Sequence, residues 1–411
     1  MEQALQRAAQ VMAQVNELAA ISEETTVITR LFGTPAFLQA SNWVLGLMKA
    51  AGLDARIDNI GNVRGRWASH HTNAKTLVIA SHIDTVRNAG KFDGPLGALL
   101  GLDSITHIIQ ARIELPFHIE LIAFSDEEGV RFHTTYLGSK VVAGTFETSL
   151  LHTKDEMGIT LQQAIEQMHG NPRQLAADAM AAHDWLGYFE IHIEQGPVLY
   201  ERDIPVAIVT AIAGQKRAEI IFTGTAGHAG TVPMKMRHDA LCCAAEFILE
   251  TEKLAHSMQV VATVGKLHVT GAASNTIPGE VICSLDLRSA NEAMAAAAYE
   301  QLQQTCITIC HKRKIVPEWK LVQQTTPVQC DEGLNTLVAK AIQQCGYPLV
   351  TMISGAGHDA VAISAVSPVT MLFVRCYKGI SHHPEEAVEL KDIAAAIKVS
   401  DNFIQQLIHR G

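Results

Sequence analysis

The chain has 411 residues, 48% of them hydrophobic and 18% charged, with a formal net charge of -10. That length predicts one large domain or two to three ordinary ones, with enough apolar content for sizeable cores. The acidic balance argues against nucleic acid or an anionic membrane as partner, and no run reaches the about eighteen apolar residues of a membrane span.

Residues 1–20 carry Gln and Glu in place of a basic segment and an apolar core, so no signal peptide is expected. Leu5, Ala8, Met12, Val15 and Leu18 recur at helical spacing. Thr34-Pro35 opens a second helix, with Thr as N-cap and Pro in the first turn, which stops near Gly52. Short strands are predicted over 55–60 and 63–67, then a buried strand Leu77-Val78-Ile79-Ala80 that ends in Ser81-His82-Ile83-Asp84. An apolar helix over 94–112 follows Asp93. Another strand over 117–124 runs into Ser125-Asp126-Glu127-Glu128-Gly129. Strand, polar loop, helix, strand, polar loop is a doubly wound α/β pattern.

Peripheral helices are predicted over 161–168 and 178–185, and a strand over 188–193 ends in His192-Ile193-Glu194-Gln195-Gly196. The texture changes near residue 210. From 211 to 328 the pattern reads strand 218–223, helix 239–255, strands 260–269 and 280–288, helix 291–313 and a last strand 318–322. That order predicts a smaller α+β domain, a four-stranded antiparallel sheet with two helices. From 329 the α/β texture returns, with a helix to Cys345, strands over 350–353 and 370–374, and a helix over 391–408. The expectation is a catalytic α/β domain (1–210 and 329–411) with a mixed, mostly parallel sheet, interrupted by the smaller domain (211–328). All eight cysteines fall between Cys242 and Cys376 without a Cys-x-x-Cys pair, which suits reduced thiols in a cytoplasmic protein.

The strand ends carry the chemistry. Ligands of open α/β sheets gather at strand carboxyl ends, and imidazole with carboxylate suits zinc or manganese. His82 and Asp93 are candidate ligands, with Asp84 placed to hold the second ring nitrogen of His82. Asp126, Glu127 and Glu128 repel one another unless a cation sits among them; one glutamate would bind metal and its neighbour serve as general base. His192 ends another strand, with the amide of Gln195 just beyond it. His228 sits in a glycine-rich segment, Gly227-His228-Ala229-Gly230, open to a ligand and suited to an oxyanion. Ser354-Gly355-Ala356-Gly357-His358-Asp359 and Gly379-Ile380-Ser381-His382-His383 are further histidine loops. Arg288 with Asn275, and Arg217, suit a substrate carboxylate. Each segment alone is compatible with an ordinary polar loop.

Together, in this order from about Arg30 to Glu386, these segments resemble the di-metal amidohydrolases of the aminoacylase and carboxypeptidase G superfamily. His192-Ile193-Glu194-Gln195-Gly196 and Gly355-Ala356-Gly357-His358-Asp359 look like the branch holding allantoate amidohydrolase, N-carbamoyl-L-amino acid hydrolase, β-ureidopropionase and ureidoglycolate amidohydrolase. The resemblance implies two divalent ions, Zn or Mn, per subunit. His82 and His192 complete one site and Glu128 and His382 the other, with Asp93 bridging and Glu127 as base. His383 next to His382 is a departure that leaves either as ligand; the register of Gly379-Ile380-Ser381-His382 favours His382. Gln195, Arg217, Asn275, Arg288, Gly357 and His358 match substrate-binding positions. His228 lies on a lid domain that carries the contact of a homodimer, where it acts in the same subunit or across the interface. The implied reaction is hydrolysis of a ureido C–N bond in a small carboxylate, allantoate first, with N-carbamoyl-L-amino acids or ureidoglycolate as alternatives. A non-catalytic binding protein on this fold would have lost a ligand or Glu127. A zinc deaminase would need a Pro-Cys-x-x-Cys segment, which the chain lacks.

Overall fold

A computed structural model describes residues 2–409. The described chain divides into two compact units, one running to Thr210 and resuming at Cys330, the other Ala211–Gln329.

The first unit is built on a nine-stranded mixed sheet. Its order is Asp54–Ile57, Val63–Trp67, His118–Phe124, Thr76–His82, Trp185–Ile193, Val369–Val374 and Val206–Ile212, with Val328–Gln329 and Thr351–Ser354 both paired to the last. The four strands from His118–Phe124 to Val369–Val374 run parallel, and the edges are antiparallel. The parallel strands are covered on both faces, which is why Leu77 to Ala80 and Leu121 to Phe124 read as unbroken apolar runs and are buried throughout. Helices Glu2–Ala19, Pro95–Gln110 and Leu390–Ile408 pack together on one face. Arg7 ties all three, with Asp103 at 2.7 Å and Asp401 at 2.6 Å. Helix Pro35–Ala50 covers the antiparallel edge; Thr34 caps it by accepting the Phe37 N–H.

The second unit has a five-stranded antiparallel sheet in the order Leu267–Thr270, Glu280–Ser289, Gly214–Thr223, Val316–Thr325, with Val261–Thr263 also on Glu280–Ser289. Helices Ala240–Met258 and Glu292–Arg313 pack on it, capped by Asp239 and Asn291. The expected count of four strands is corrected to five. The single strand expected over 260–269 is broken between Thr263 and Leu267, around Gly265, and each half pairs separately with the same neighbour. A two-stranded ribbon, Gly227–His228 with Thr276–Ile277, stands apart from this sheet.

The helix expected over 178–185 is also absent; only the short turns Leu175–Asp178 and Ala182–Asp184 form there. Asp178 is drawn inward to accept from Arg56 at 2.9 Å and from the Asn59 main chain at 2.9 Å. Tertiary partners override the local helical pattern.

Candidate metal centre

The four parallel strands end on the same edge of the sheet, and each delivers part of one cluster. His82 is the last residue of its strand, opposite Phe124 of the neighbour. The next turn after Phe124 carries Asp126, Glu127 and Glu128. His192 lies opposite Phe373, and the chain beyond Val374 leads to Ser381 and His382.

Asp93 is the hub. One carboxylate oxygen lies 3.1 Å from His192 Nε2 and 3.8 Å from His82 Nε2. The other lies 2.9 Å from His382 Nε2, which is itself 3.3 Å from Glu128. Three ligand-like triads result: His82, Asp93 and His192; His82, Glu127 and Glu128; Asp93, Glu128 and His382. The first and third share Asp93. Ser381 Oγ (2.7 Å) and Gln195 Nε2 (2.9 Å) also donate to Asp93. Burial opposes the charge of Asp93, but hydrogen bonds from His192, His382 and His82 outweigh it and hold its pKa well below the usual carboxylate range.

Ring orientation supplies a test of whether this donor set suits metal. His82 Nδ1 lies 3.1 Å from the Asp84 carbonyl and 3.3 Å from its carboxylate. His192 Nδ1 lies 3.0 Å from the Ile193 carbonyl. A carbonyl only accepts, so Nδ1 carries a proton in both rings and Nε2 is the nitrogen that faces Asp93, donating to it while the ring is charged and offering a lone pair once that proton is lost. That is the arrangement a metal-binding imidazole needs. Two histidines, a shared carboxylate, a further carboxylate and a third histidine fit a pair of divalent ions.

Asp84 does more than orient His82. Its two oxygens accept the main-chain N–H groups of Glu127 and Glu128, each at 3.1 Å, so one side chain sets both loops. Glu127 is 8% exposed. Burial pushes its pKa well above the carboxylate range, opposed by His82 and reinforced by Glu128, Asp359 and Asp84.

His382, not His383, lies in the cluster. His383 is turned to accept the Glu385 N–H at 3.2 Å. Both His382 (φ 55°) and Gln195 (φ 57°) sit in the left-handed region, a conformation that costs energy for non-glycine residues and collects at functional sites.

His358 is buried at 1% exposure. Its Nε2 meets Ser354 Oγ at 2.7 Å and its ring stands edge-on to His192, centroids 4.6 Å apart. Burial, then the neighbouring charges of His192 and His82, hold its pKa well below the imidazole range. It backs His192 as a neutral ring. Gly357 lies against Tyr136.

The remaining expected residues belong to the second unit. Within it, His228 is opposite Thr276 in the ribbon, and Asn275 accepts the Ala229 N–H at 2.8 Å, so these two segments meet. Arg217 and Arg288 share a neighbour that the sequence reading passed over, Asp286. Its carboxylate accepts from Arg217 Nε at 3.1 Å, from Arg288 Nε and Nη2 at 2.9 Å each, and from Gln215 at 2.7 Å. The alternation Asp286-x-Arg288 on one strand, facing Arg217 across the ladder, was the available signal. Also passed over were Ser381, Glu386 and Arg30. Arg30 is fully buried and donates to the carbonyls of Leu18, Ile21 and Ile83, fixing the loop that leaves His82.

Residues 78–406 match the model of the peptidase family M20/M25/M40. The allantoate deiminase of Arabidopsis thaliana is 37% identical over 424 residues, covering 94% of this chain and 80% of that protein. The N-carbamoyl-L-amino acid amidohydrolase of Geobacillus stearothermophilus is 36% identical over 381 residues, covering 92% and 93%. In structure, an amidase of the hydantoinase/carbamoylase family from Burkholderia multivorans superposes with a TM-score of 0.91 at 30% identity, covering 98% of both chains.

Proposed function

The chain belongs to the peptidase family M20/M25/M40, and from that premise we propose that it hydrolyses a ureido C–N bond beside a carboxylate, with allantoate as substrate. The observation that carries this reading is the pair of ligand triads joined through Asp93 with Glu127 beside them, in a chain 37% identical to an allantoate deiminase. Allantoate hydrolysis of this kind releases ammonia, carbon dioxide and ureidoglycine.

His82, His192 and Asp93 would hold one divalent ion, and Asp93, Glu128 and His382 a second, Zn or Mn. The chemistry such ions supply is to acidify water and polarise a carbonyl oxygen. Glu127 takes the proton of the attacking water and returns it to the leaving nitrogen. Asp84 and the Ile193 carbonyl keep both Nε2 atoms aimed inward. Gln195 and Ser381 fix the rotation of Asp93 through its outer oxygen. Arg288, Arg217 and Asn275 are our candidates for binding the substrate carboxylate, Gly357 lines the substrate position, and His228 is our candidate donor to the developing oxyanion. His358, matched to a substrate-binding position by the resemblance, is better suited to supporting His192, given its burial.

We read the second unit as lid and dimer contact of a homodimer. Val316 and Val322 are exposed on one of its edge strands, which among the described residues pairs with Gly214–Thr223 alone. The eight free cysteines suit a reducing, cytoplasmic setting. No helix among the described residues is long and apolar enough to cross a membrane.

A second reading has its own support: the chain is 36% identical to an N-carbamoyl-L-amino acid amidohydrolase. Ammonia release from allantoate, measured beside release from N-carbamoyl-L-amino acids with manganese or zinc supplied, decides between them. Turnover of allantoate alone supports the first reading. Turnover of carbamoyl amino acids alone replaces it and leaves the residue roles intact.

A further inference from the structure

Glu386 is four residues beyond His382 and is 3% exposed. Its Oε1 accepts two main-chain N–H groups, from Phe92 at 2.6 Å and from Asp93 at 3.0 Å. These are contacts across 294 and 293 residues of sequence. The Glu386 side chain also rests on Gly90: a Cβ added there would fall on it. The carboxylate is therefore gripped in a slot that only a residue without a side chain leaves open. Its second oxygen is buried with no hydrogen-bond partner among the described residues.

The same short loop thus holds Asp93 at both ends. Ser381 and His382 meet its carboxylate, and Glu386 meets its N–H. A carboxylate shared by two ligand sets must be fixed in rotation and in position, because a shift of its main chain moves both oxygens at once.

We propose that Glu386 is a positioning residue for the metal centre: by holding the main chain of Phe92 and Asp93 it sets where the Asp93 carboxylate stands between the two triads. The proposal rests on the reading of Asp93 as the ligand common to two ions. Outer-shell partners of this kind are worth about 10–100-fold in metal affinity.

The test is chelator competition with the metal-loaded full-length chain, using Mn2+ and then Zn2+, read as dissociation constants and ions per subunit, beside circular dichroism and thermal unfolding. Glu386→Ala is expected to weaken metal binding by about 10–100-fold with the fold retained. Glu386→Gln, whose amide oxygen accepts the same two N–H groups, is expected to recover most of that affinity. Gly90→Ala should reproduce the alanine variant by crowding the slot. If Glu386→Ala does not fold, Glu386→Asp keeps the charge and withdraws the oxygen by one methylene; weakened binding supports the proposal and wild-type binding overturns it. Wild-type dissociation constants in Glu386→Ala and Gly90→Ala, whatever the melting temperature, overturn the proposal, because a tether with no bearing on the centre would lower stability alone. Asp93→Ala is the control: if it still holds two ions at wild-type affinity, the ligand reading fails. If it loses them while the Glu386 and Gly90 variants do not, only the present proposal fails.

Discussion

Replacing Asp84 with alanine removes a side chain whose two oxygens each accept a buried main-chain N–H, from Glu127 and from Glu128. Hydrogen bonds to a charged acceptor contribute roughly 1.5–3 kcal/mol each, so the pair represents about 3–6 kcal/mol. Part of this is offset. Burial first, and then the charge of Asp84, push Asp126 well above the carboxylate range, and Asp84 also opposes ionisation of Glu127; deleting Asp84 relieves that repulsion. The lower end is therefore expected, about 3 kcal/mol, a large share of the roughly 5–15 kcal/mol that holds a typical domain. For a unit of this size that corresponds to a melting temperature roughly 5 °C lower. Urea unfolding followed by tryptophan fluorescence measures it, with chelator present so that bound ions add nothing to the native state. A separate metal titration should find affinity reduced about 10–100-fold, since His82 also loses its orienting carboxylate. A variant that unfolds within about 0.5 kcal/mol of wild type would refute the premise that these two N–H groups depend on Asp84.

Glu127→Gln should keep two ions and the fold while kcat falls about 10²–10⁴-fold, the usual worth of a general acid–base group; metal analysis with steady-state kinetics checks it, and activity within a few-fold of wild type removes Glu127 from that role. Gly94→Ala should destabilise the protein and loosen metal binding together, because Gly94 has φ 84° and an added Cβ would stand 2.5 Å from the His82 ring; unchanged chelator competition contradicts this. His228→Ala should remain folded and metal-loaded but slow. Mixing it with an inactive Arg288 variant and recovering activity would mean that His228 serves the partner subunit, whereas additive loss places both residues in one subunit.

The candidate ligands His82, Glu128 and His192 were legible because each lies at or just beyond the end of an apolar strand, where a polar cluster has no packing reason to be. His82, Glu127–Glu128 and His192 follow runs that only a buried parallel strand explains. The Asp-x-Arg alternation in the second unit was equally visible but passes for a surface ion pair until the strand Gly214–Thr223 sets Arg217 opposite Asp286. What did not show in the sequence depends on register between distant segments. Nothing near Glu386 announces that its partners are the N–H groups of residues 92 and 93. Nothing near Gly90 announces what fills the space beside it. The 178–185 stretch fails as a helix for the same reason: Asp178 is committed to Arg56 and Asn59, more than a hundred residues earlier. His382, favoured over His383 by the register of its segment, is the one whose ring lies 2.9 Å from Asp93, on a residue with positive φ.

The order of the strands bears on how this protein comes off the ribosome. The strand Trp185–Ile193 lies between Thr76–His82 and Val369–Val374, and the last of these is made only after the whole of Ala211–Gln329 has been synthesised. Until then the nascent sheet ends in an apolar parallel strand with an open edge, a template for pairing with other chains. His82, Asp93 and His192 are already present at that stage, but Glu386 and His382 are not. A chain that stops early therefore carries four of the five candidate ligands beside an open apolar edge and lacks only His382, and aggregation of unfinished chains is the expected failure when chaperone capacity is short.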